Sequence, residues 1–214
     1  MTYGAEICFL RPGPDNPRNS EGAFSALPDG RILFAYSKYV GSDHDDNAAC
    51  VIALRSSRDG GETWSADRIV ARNSVETNGN VMSVSFLPLD GRRLAMFYIQ
   101  KETAADRKGV LSRILMAETS DGGETWSAAA DCTGGVLPKG YYVLNNDRVV
   151  RLKSGRVVLP IALGDSSGVL CAYSDDGCRT WKASARVSAP AAGGGNHGAD
   201  SDGDGVPDGW ELYV

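Results

Sequence analysis

The sequence predicts an all-β protein assembled from repeated four-stranded antiparallel units. Two phrases that recur in step predict it. The first is Ser/Thr-x-Asp-x-Gly-x-Thr-Trp, present as Ser57–Trp64, Thr119–Trp126 and Ser174–Trp181. Its tryptophans lie 62 and 55 residues apart. The second is a Gly-Arg turn between apolar runs: Leu27-Pro28-Asp29-Gly30-Arg31-Ile32-Leu33, Leu89-Asp90-Gly91-Arg92-Arg93-Leu94 and Leu152-Lys153-Ser154-Gly155-Arg156-Val157-Val158. A phrase returning at near-constant spacing marks a repeated supersecondary unit.

Each Gly-Arg phrase reads as a hairpin, because Asp-Gly or Ser-Gly between apolar runs gives the chain the positive φ that a tight turn needs. Each Trp phrase reads as a second hairpin. Its Asp bonds nearby backbone N–H groups, its Gly supplies the turn, and Thr-Trp re-enters a strand with an indole large enough to fill a seam between sheets. One unit is then strand, Gly-Arg hairpin, strand, variable loop, strand, Trp hairpin, strand. That is the content of one propeller blade in about 60 residues. Strands are expected at 32–39 and 50–56 in the first unit.

These motifs resemble the Asp box, or bacterial neuraminidase repeat, of the sialidase superfamily. The resemblance covers roughly residues 5 to 185. Further cues to it are Asn19-Ser20-Glu21-Gly22-Ala23-Phe24, Asn80-Val81-Met82-Ser83-Val84-Ser85 and Tyr141-Tyr142-Val143-Leu144-Asn145-Asn146-Asp147-Arg148, one ahead of each Gly-Arg hairpin. The resemblance implies a six-bladed β-propeller, of which this chain carries about three blades over 1–188. A Gly/Ala/Pro linker then follows at 189–199, and an acidic tail at 200–214. It also implies that the box is structural and lies on the face away from the substrate. Half a ring would leave two open blade edges, through which chains could self-associate.

In such a fold the residues just ahead of each inner strand face a central pocket. Counting back nine from each hairpin glycine gives Glu21, Met82 and Asn146 as repeat equivalents, with Asp147 and Arg148 beside the last. These are the candidate pocket residues; a local ion pair is the alternative reading for Asp147 and Arg148. The loop Gly41-Ser42-Asp43-His44-Asp45-Asp46-Asn47 concentrates three carboxylates and an imidazole. A carboxyl group held near other charges can protonate a glycosidic oxygen and later deprotonate water. The resemblance places the acid/base aspartate in this loop, at Asp46, with Asp43 as its nearest rival; a solvated acidic turn is the bland alternative.

Sialidases also clamp the substrate carboxylate with arginines, whose planar fork matches it. The Arg-Ile-Pro phrase expected at the first inner strand is replaced here by Arg18-Asn19-Ser20-Glu21, so Arg18 is the stand-in. The remaining arginines and the Tyr–Glu nucleophile pair belong to later blades of the family fold. The implied activity is exo-α-sialidase-like hydrolysis of terminal sialic acids, incomplete within this chain. The alternative is a non-catalytic Asp-box module that binds glycan or protein.

Composition narrows the partners. The 214-residue chain has a net charge of −5 and no basic cluster, which argues against nucleic acid. Apolar runs are of strand length, so no membrane span is expected, and no secretory signal is visible at Met1–Glu6. Five cysteines without a Cys-x-x-Cys pair suggest free thiols and a reducing compartment, although a Cys171–Cys178 link across the third box is conceivable. No cofactor is expected for the blades. In the tail, Asp200, Asp202, Asp204, Asp208 and Glu211 occupy positions 1, 3, 5, 9 and 12, with Gly205 at 6. This is EF-hand loop spacing, and it also resembles thrombospondin type 3 repeats, so Ca²⁺ is the expected ligand. Such tails are commoner on exported proteins, which runs against the thiol argument.

Overall fold

The computed structural model describes residues 9–74, 79–103, 109–164 and 168–188. Among them the chain is all β, and no helix is long and apolar enough to cross a membrane.

The first unit comprises β1 (Asn19–Ala26), β2 (Ile32–Tyr39), β3 (Cys50–Ser57) and β4 (Arg68–Ala71), each antiparallel to the next. The second repeats it with β5 (Asn80–Pro88), β6 (Leu94–Thr103), β7 (Val110–Thr119) and β8 (Ala130–Asp131). The third has a broken first strand, β9 (Tyr142–Val143) and β10 (Val150–Arg151), both paired to β11 (Val157–Leu163). It is completed by β12 (Val169–Ser174) and β13 (Lys182–Ala183). Among the described residues the first two units are joined edge to edge only by a parallel bridge, Cys50 to Asn80. Side-chain packing between sheet faces therefore does most of the joining.

Period-two alternation builds that packing. In β2, Leu33 and Ala35 face the second unit, and Phe34 and Tyr36 face away. One core forms where the first two units meet, around Leu33, Ile52, Leu54, Phe86, Met96 and Trp126. The other forms between the second and third, around Phe97, Ile114, Met116, Leu144, Leu159 and Ile161, with Trp181 against it.

The hairpins fold as expected. Leu27, Leu89 and Leu152 N–H donate to the carbonyls of Arg31, Arg93 and Arg156, each at 2.8 Å. Gly30, Gly91 and Gly155 take the positive φ values of 84°, 65° and 89°.

The Trp turns owe their sequence to one carboxylate each. Asp59 accepts from the Ser57 hydroxyl at 2.7 Å, the Thr63 N–H at 2.9 Å and the Thr63 hydroxyl at 2.5 Å, while Ser57 Oγ accepts from Gly61 N–H at 2.8 Å. Asp121 and Asp176 repeat the pattern with Thr119, Thr125, Ser174 and Thr180. In the third turn Cys178 stands where the others have glycine, at φ 71°. Its thiol is pushed up to about 11 by burial. Cys50, Cys132, Cys171 and Cys178 are all free, so the conceivable Cys171–Cys178 link is not formed.

Hydrogen bonding from Thr63 lowers the Asp59 carboxyl to about 2, and Thr125 and Thr180 lower Asp121 and Asp176 in the same way. A depressed carboxyl contributes stability that is present above its unfolded value, near ~4, and is lost as pH falls through the folded one. We expect Asp59→Asn to lower the thermal midpoint at neutral pH, and the gap from the parent protein to narrow between pH ~4 and ~2. A pH series of melting curves reads this; a gap of constant size would show that the carboxylate charge is irrelevant.

Candidate functional site

Antiparallel alternation sorts the loops to two ends. The Gly-Arg hairpins and the Trp turns, which follow β3, β7 and β12, lie at one end. The β2–β3 loop (40–49) and the starts of β1 and β5 lie at the other. The candidate residues gather at this second end.

Arg18 enters just ahead of β1, and its backbone carbonyl accepts from Tyr39 N–H at 3.0 Å. Its guanidinium lies over the Tyr39 ring, 4.6 Å from the centroid. Arg18 Nη1 donates to Asp46 Oδ1 at 2.5 Å and to the His44 carbonyl at 3.2 Å. The bond to Asp46 is the main cause of the upward shift of the Arg18 guanidinium. Asp46 remains open to solvent, its side chain 64% exposed.

The loop that presents Asp46 is held from beneath. Lys101 at the end of β6, itself buried, donates from Nζ to the Asp46 carbonyl at 2.8 Å and to Asn47 Oδ1 at 3.3 Å. Asn80 at the head of β5 donates from Nδ2 to the carbonyls of Asp46 at 3.1 Å and Ala48 at 2.7 Å. Lys101 Nζ also lies 5.5 Å from the Tyr141 ring centroid, which ties the third unit to the same place.

Glu21 sits in a β-bulge. The β1–β2 register shifts between Ser20 and Ala23, and Glu21 takes φ 51°. The same bulge recurs in β5 between Met82 and Ser85, with Ser83 at φ 58°, and Asp147 at φ 54° marks the break between β9 and β10. Counting from the glycines had paired Glu21 with Met82 and Asn146. The backbone pairs it instead with Ser83 and Asp147, because the second hairpin carries one residue fewer before its glycine and the third unit's strand is interrupted.

Burial raises the Glu21 carboxyl, against opposing pulls from Ser37, Arg18 and Lys101. A carboxyl raised by burial is penalised once ionised, so its penalty sets in as pH rises above the unfolded value and disappears below it. Glu21→Gln is therefore expected to raise the thermal midpoint at pH 7, with the gain vanishing below about pH 4. A gain that persists in acid would locate the effect elsewhere.

Of the buried polar side-chain atoms with no protein partner among the described residues, Asn19 Oδ1, Ser20 Oγ, Glu21 Oε2, Tyr39 OH and Asn80 Oδ1 lie here, and Ser25 Oγ, Arg113 Nε and Trp126 Nε1 lie elsewhere. Unmet buried polar atoms are rare in native interiors, and each calls for a partner such as water, an ion or a ligand.

The structure thus brings together Arg18, Glu21 and Asp46. Asn146 joins them, its Nδ2 donating to the Gly22 carbonyl at 3.3 Å. Asp147 and Arg148 are held there by their backbones, donating to Val84 O and Ser85 Oγ at 3.1 Å each, with exposed side chains. Asp43 turns inward on its own loop, accepting from Asp45 N–H at 3.0 Å, as a turn-forming residue does. Tyr142 is buried, its hydroxyl donating to Pro138 O at 2.7 Å. Residues Asp200, Asp202, Asp204, Asp208 and Glu211 lie outside the described residues. Lys101 and Asn80 escaped the sequence reading. Lys101 stands among Gln100, Glu102 and Thr103 at the polar end of β6, so its sequence neighbours did not set it apart as a buried cation.

A cleft of about 480 Å³ opens beside this end of the third unit, lined by Lys139, Tyr141, Tyr142, Leu163 and Arg186 among others. A polar cleft of about 430 Å³ adjoins it, carrying Glu102, Arg113, Asp131 and Lys139.

Comparison with solved structures finds this arrangement of strands in sialidases. A Hadza microbial sialidase superposes with a TM-score of 0.68 at 15% identity, covering 81% of this chain and 38% of the other. NanB sialidase from Streptococcus pneumoniae gives 0.63 at 14% identity, covering 86% and 46%. The intramolecular trans-sialidase from Ruminococcus gnavus gives 0.64 at 14% identity, covering 86% and 63%. The chain thus spans less than two thirds of the length of these proteins, and at such identities the likeness is one of fold. No curated protein sequence matches it. The family model described as BNR repeat-like domain matches residues 30–194, most of the chain and all three Trp turns. The protein is therefore a member of the BNR repeat-like domain family, with a sialidase-like all-β fold.

Proposed function

We propose that the three units are successive blades of a sialidase-type six-bladed propeller, and that the protein acts as an exo-α-sialidase-like glycoside hydrolase on terminal sialic acids. This chain would supply about half of the ring and part of the site. Asp46 is the acid/base, Arg18 contacts the substrate carboxylate, and Glu21, Asn146, Asp147 and Arg148 line the pocket. Asp43 is the lesser candidate for the acid. The observation that carries the reading is the concentration of unmet buried polar atoms around an exposed carboxylate and a half-exposed guanidinium. The trans-sialidase and sialidase neighbours support the substrate class.

In this reading Asp46 hands its proton to the glycosidic oxygen and then takes one from the attacking water. Arg18 already holds one Asp46 oxygen, so substrate must draw the guanidinium to its own carboxylate to free the acid. That closed pair favours the second reading, a non-catalytic module whose Arg18–Asp46 pair opens only to bind an acidic glycan. The acidic segment Asp200–Glu211 is proposed as a Ca²⁺ loop on its spacing alone.

The test is hydrolysis of a fluorogenic sialoside, run beside a sialyl-glycan binding titration. Turnover that is lost in Asp46→Ala supports the hydrolase. Binding without turnover leaves the module, and neither overturns both.

A further inference from the structure

One pair of facing strand positions recurs in all three units, at the end nearest the candidate site, and each unit uses it differently. In the first unit Arg18 stands opposite Tyr39, whose N–H donates to the Arg18 carbonyl at 3.0 Å. An offset of 62 residues carries this pair onto Asn80 and Lys101, which are register partners in β5 and β6. In the third unit the place falls to Tyr141 and Gly164, where Gly164 N–H donates to the Tyr141 carbonyl at 2.8 Å.

The first two pairs grip one loop from two sides. Arg18 takes the Asp46 side chain at Oδ1 and the His44 carbonyl. Asn80 and Lys101 take the backbone. Their donors converge on the Asp46 carbonyl oxygen, Lys101 Nζ at 2.8 Å and Asn80 Nδ2 at 3.1 Å, and so use both of its lone pairs. Asn80 Nδ2 also reaches the Ala48 carbonyl at 2.7 Å, and Lys101 Nζ reaches Asn47 Oδ1 at 3.3 Å. The two grips differ in kind. Asn80 and Lys101 are 2% and 5% exposed, so water competes little for their bonds. The side chains of Arg18 and Asp46 are 32% and 64% exposed, and water and salt loosen such a pair.

The third pair backs the second. Lys101 Nζ lies 5.5 Å from the Tyr141 ring centroid, within the range in which a ring face attracts a cation. A Cβ at Gly164 would collide with the Tyr141 side chain, so the glycine makes the room that Tyr141 occupies.

We infer that Lys101 and Asn80 are positioning residues for Asp46, with Tyr141 supporting Lys101. The inference rests on the hydrolase reading above, in which Arg18 releases Asp46 to meet the substrate carboxylate. Release ends the hold on the side chain. The hold on the peptide persists, because it comes from buried groups of the second unit. Asp46 therefore keeps its place when its own unit lets go of it. A misplacement of about 1 Å can cost on the order of 10²-fold in rate, so a loop held by Arg18 alone would defeat the exchange.

Lys101→Met keeps the buried stem and removes the ammonium. On a sialoside it is expected to lower kcat by about 10- to 10²-fold. KM should change by less than about threefold, because Arg18 still meets the carboxylate. Lys101→Arg, which restores a cation with several donors, is expected to recover most of the lost kcat. Hydrogen exchange reads the same hold without turnover. The Ala48 N–H donates to the Asp45 carbonyl at 2.8 Å. It is expected to exchange about tenfold faster in Lys101→Met and at the parent rate in Arg18→Ala, with the amides of β2 and β3 unchanged in both. Should Lys101→Met not fold, Gly164→Ala displaces Tyr141 and is expected to move both readings the same way by less. A kcat unmoved by losing the ammonium, a KM that rises as much as kcat falls, or Ala48 protection that follows Arg18 rather than Lys101 overturns the inference. A protein without any sialoside turnover sinks the hydrolase reading alone, and exchange at Ala48 then decides by itself whether Lys101 holds the loop.

Discussion

Asp46→Ala is expected, on the hydrolase reading proposed above, to lower kcat/KM on a natural sialoside by about 10²–10⁴-fold, the range for loss of a positioned general acid/base. The loss should be smaller on an aryl sialoside, because a phenolate leaves without needing the proton that Asp46 provides. That contrast separates an acid from a residue that merely shapes the loop. The fold should survive: the Arg18–Asp46 pair is largely solvent-exposed, and such pairs are worth about 1 kcal/mol or less. Arg18→Ala is a different lesion. It frees Asp46 and would remove the proposed contact to the substrate carboxylate, so on that reading KM rises more than kcat falls. Asp43→Ala, which breaks only a local turn bond, should change kcat/KM by a few-fold at most. Equal losses from Asp43→Ala and Asp46→Ala would reassign the acid.

Phe97→Ala carries the largest expected effect on stability. Phe97 is fully buried in β6, in the core between the second and third units, edge to face with Trp181. Truncating a buried phenylalanine costs about 3–5 kcal/mol through lost transfer energy and the cavity left behind. Total stabilities of domains are about 5–15 kcal/mol. The loss falls on the seam that holds the third unit, where no strand pairing with the second unit exists among the described residues. Urea unfolding should therefore show the third unit releasing first, read by a red shift of Trp181 fluorescence in a variant whose other tryptophans are phenylalanine. Phe24→Ala, at an exposed equivalent of buried Phe86, should shift the midpoint far less. A comparable drop from both would mean that the seams are not the weak point.

Much of this was legible from the chain. The Gly-Arg and Trp phrases place the turns, and turns with apolar runs between them leave little choice of strand. Strand β2 begins and ends where the sequence put it. The phrase spacing also located the loop that carries Asp46. What the sequence could not show was the bulge. A bulge adds one residue to one strand, and nothing in Asn19-Ser20-Glu21-Gly22 or Asn80-Val81-Met82-Ser83 announces it; the miss of Ser83 by one came from the hairpin, where Gly91 stands one place earlier than Gly30. Lys101 and Asn80 were hidden for another reason. Their partners are backbone carbonyls of a loop far away in sequence, and such contacts leave no periodic trace.

The seam between the first two units has one further consequence. Among the described residues a single backbone bridge, Cys50 to Asn80, is all that links their ladders, and the two align at an offset of 62 residues from Phe24 and Phe86 to Trp64 and Trp126. Unequal recombination within the gene could then delete or duplicate one unit cleanly, since no ladder would be severed. Copy number in such a chain is free to drift in evolution.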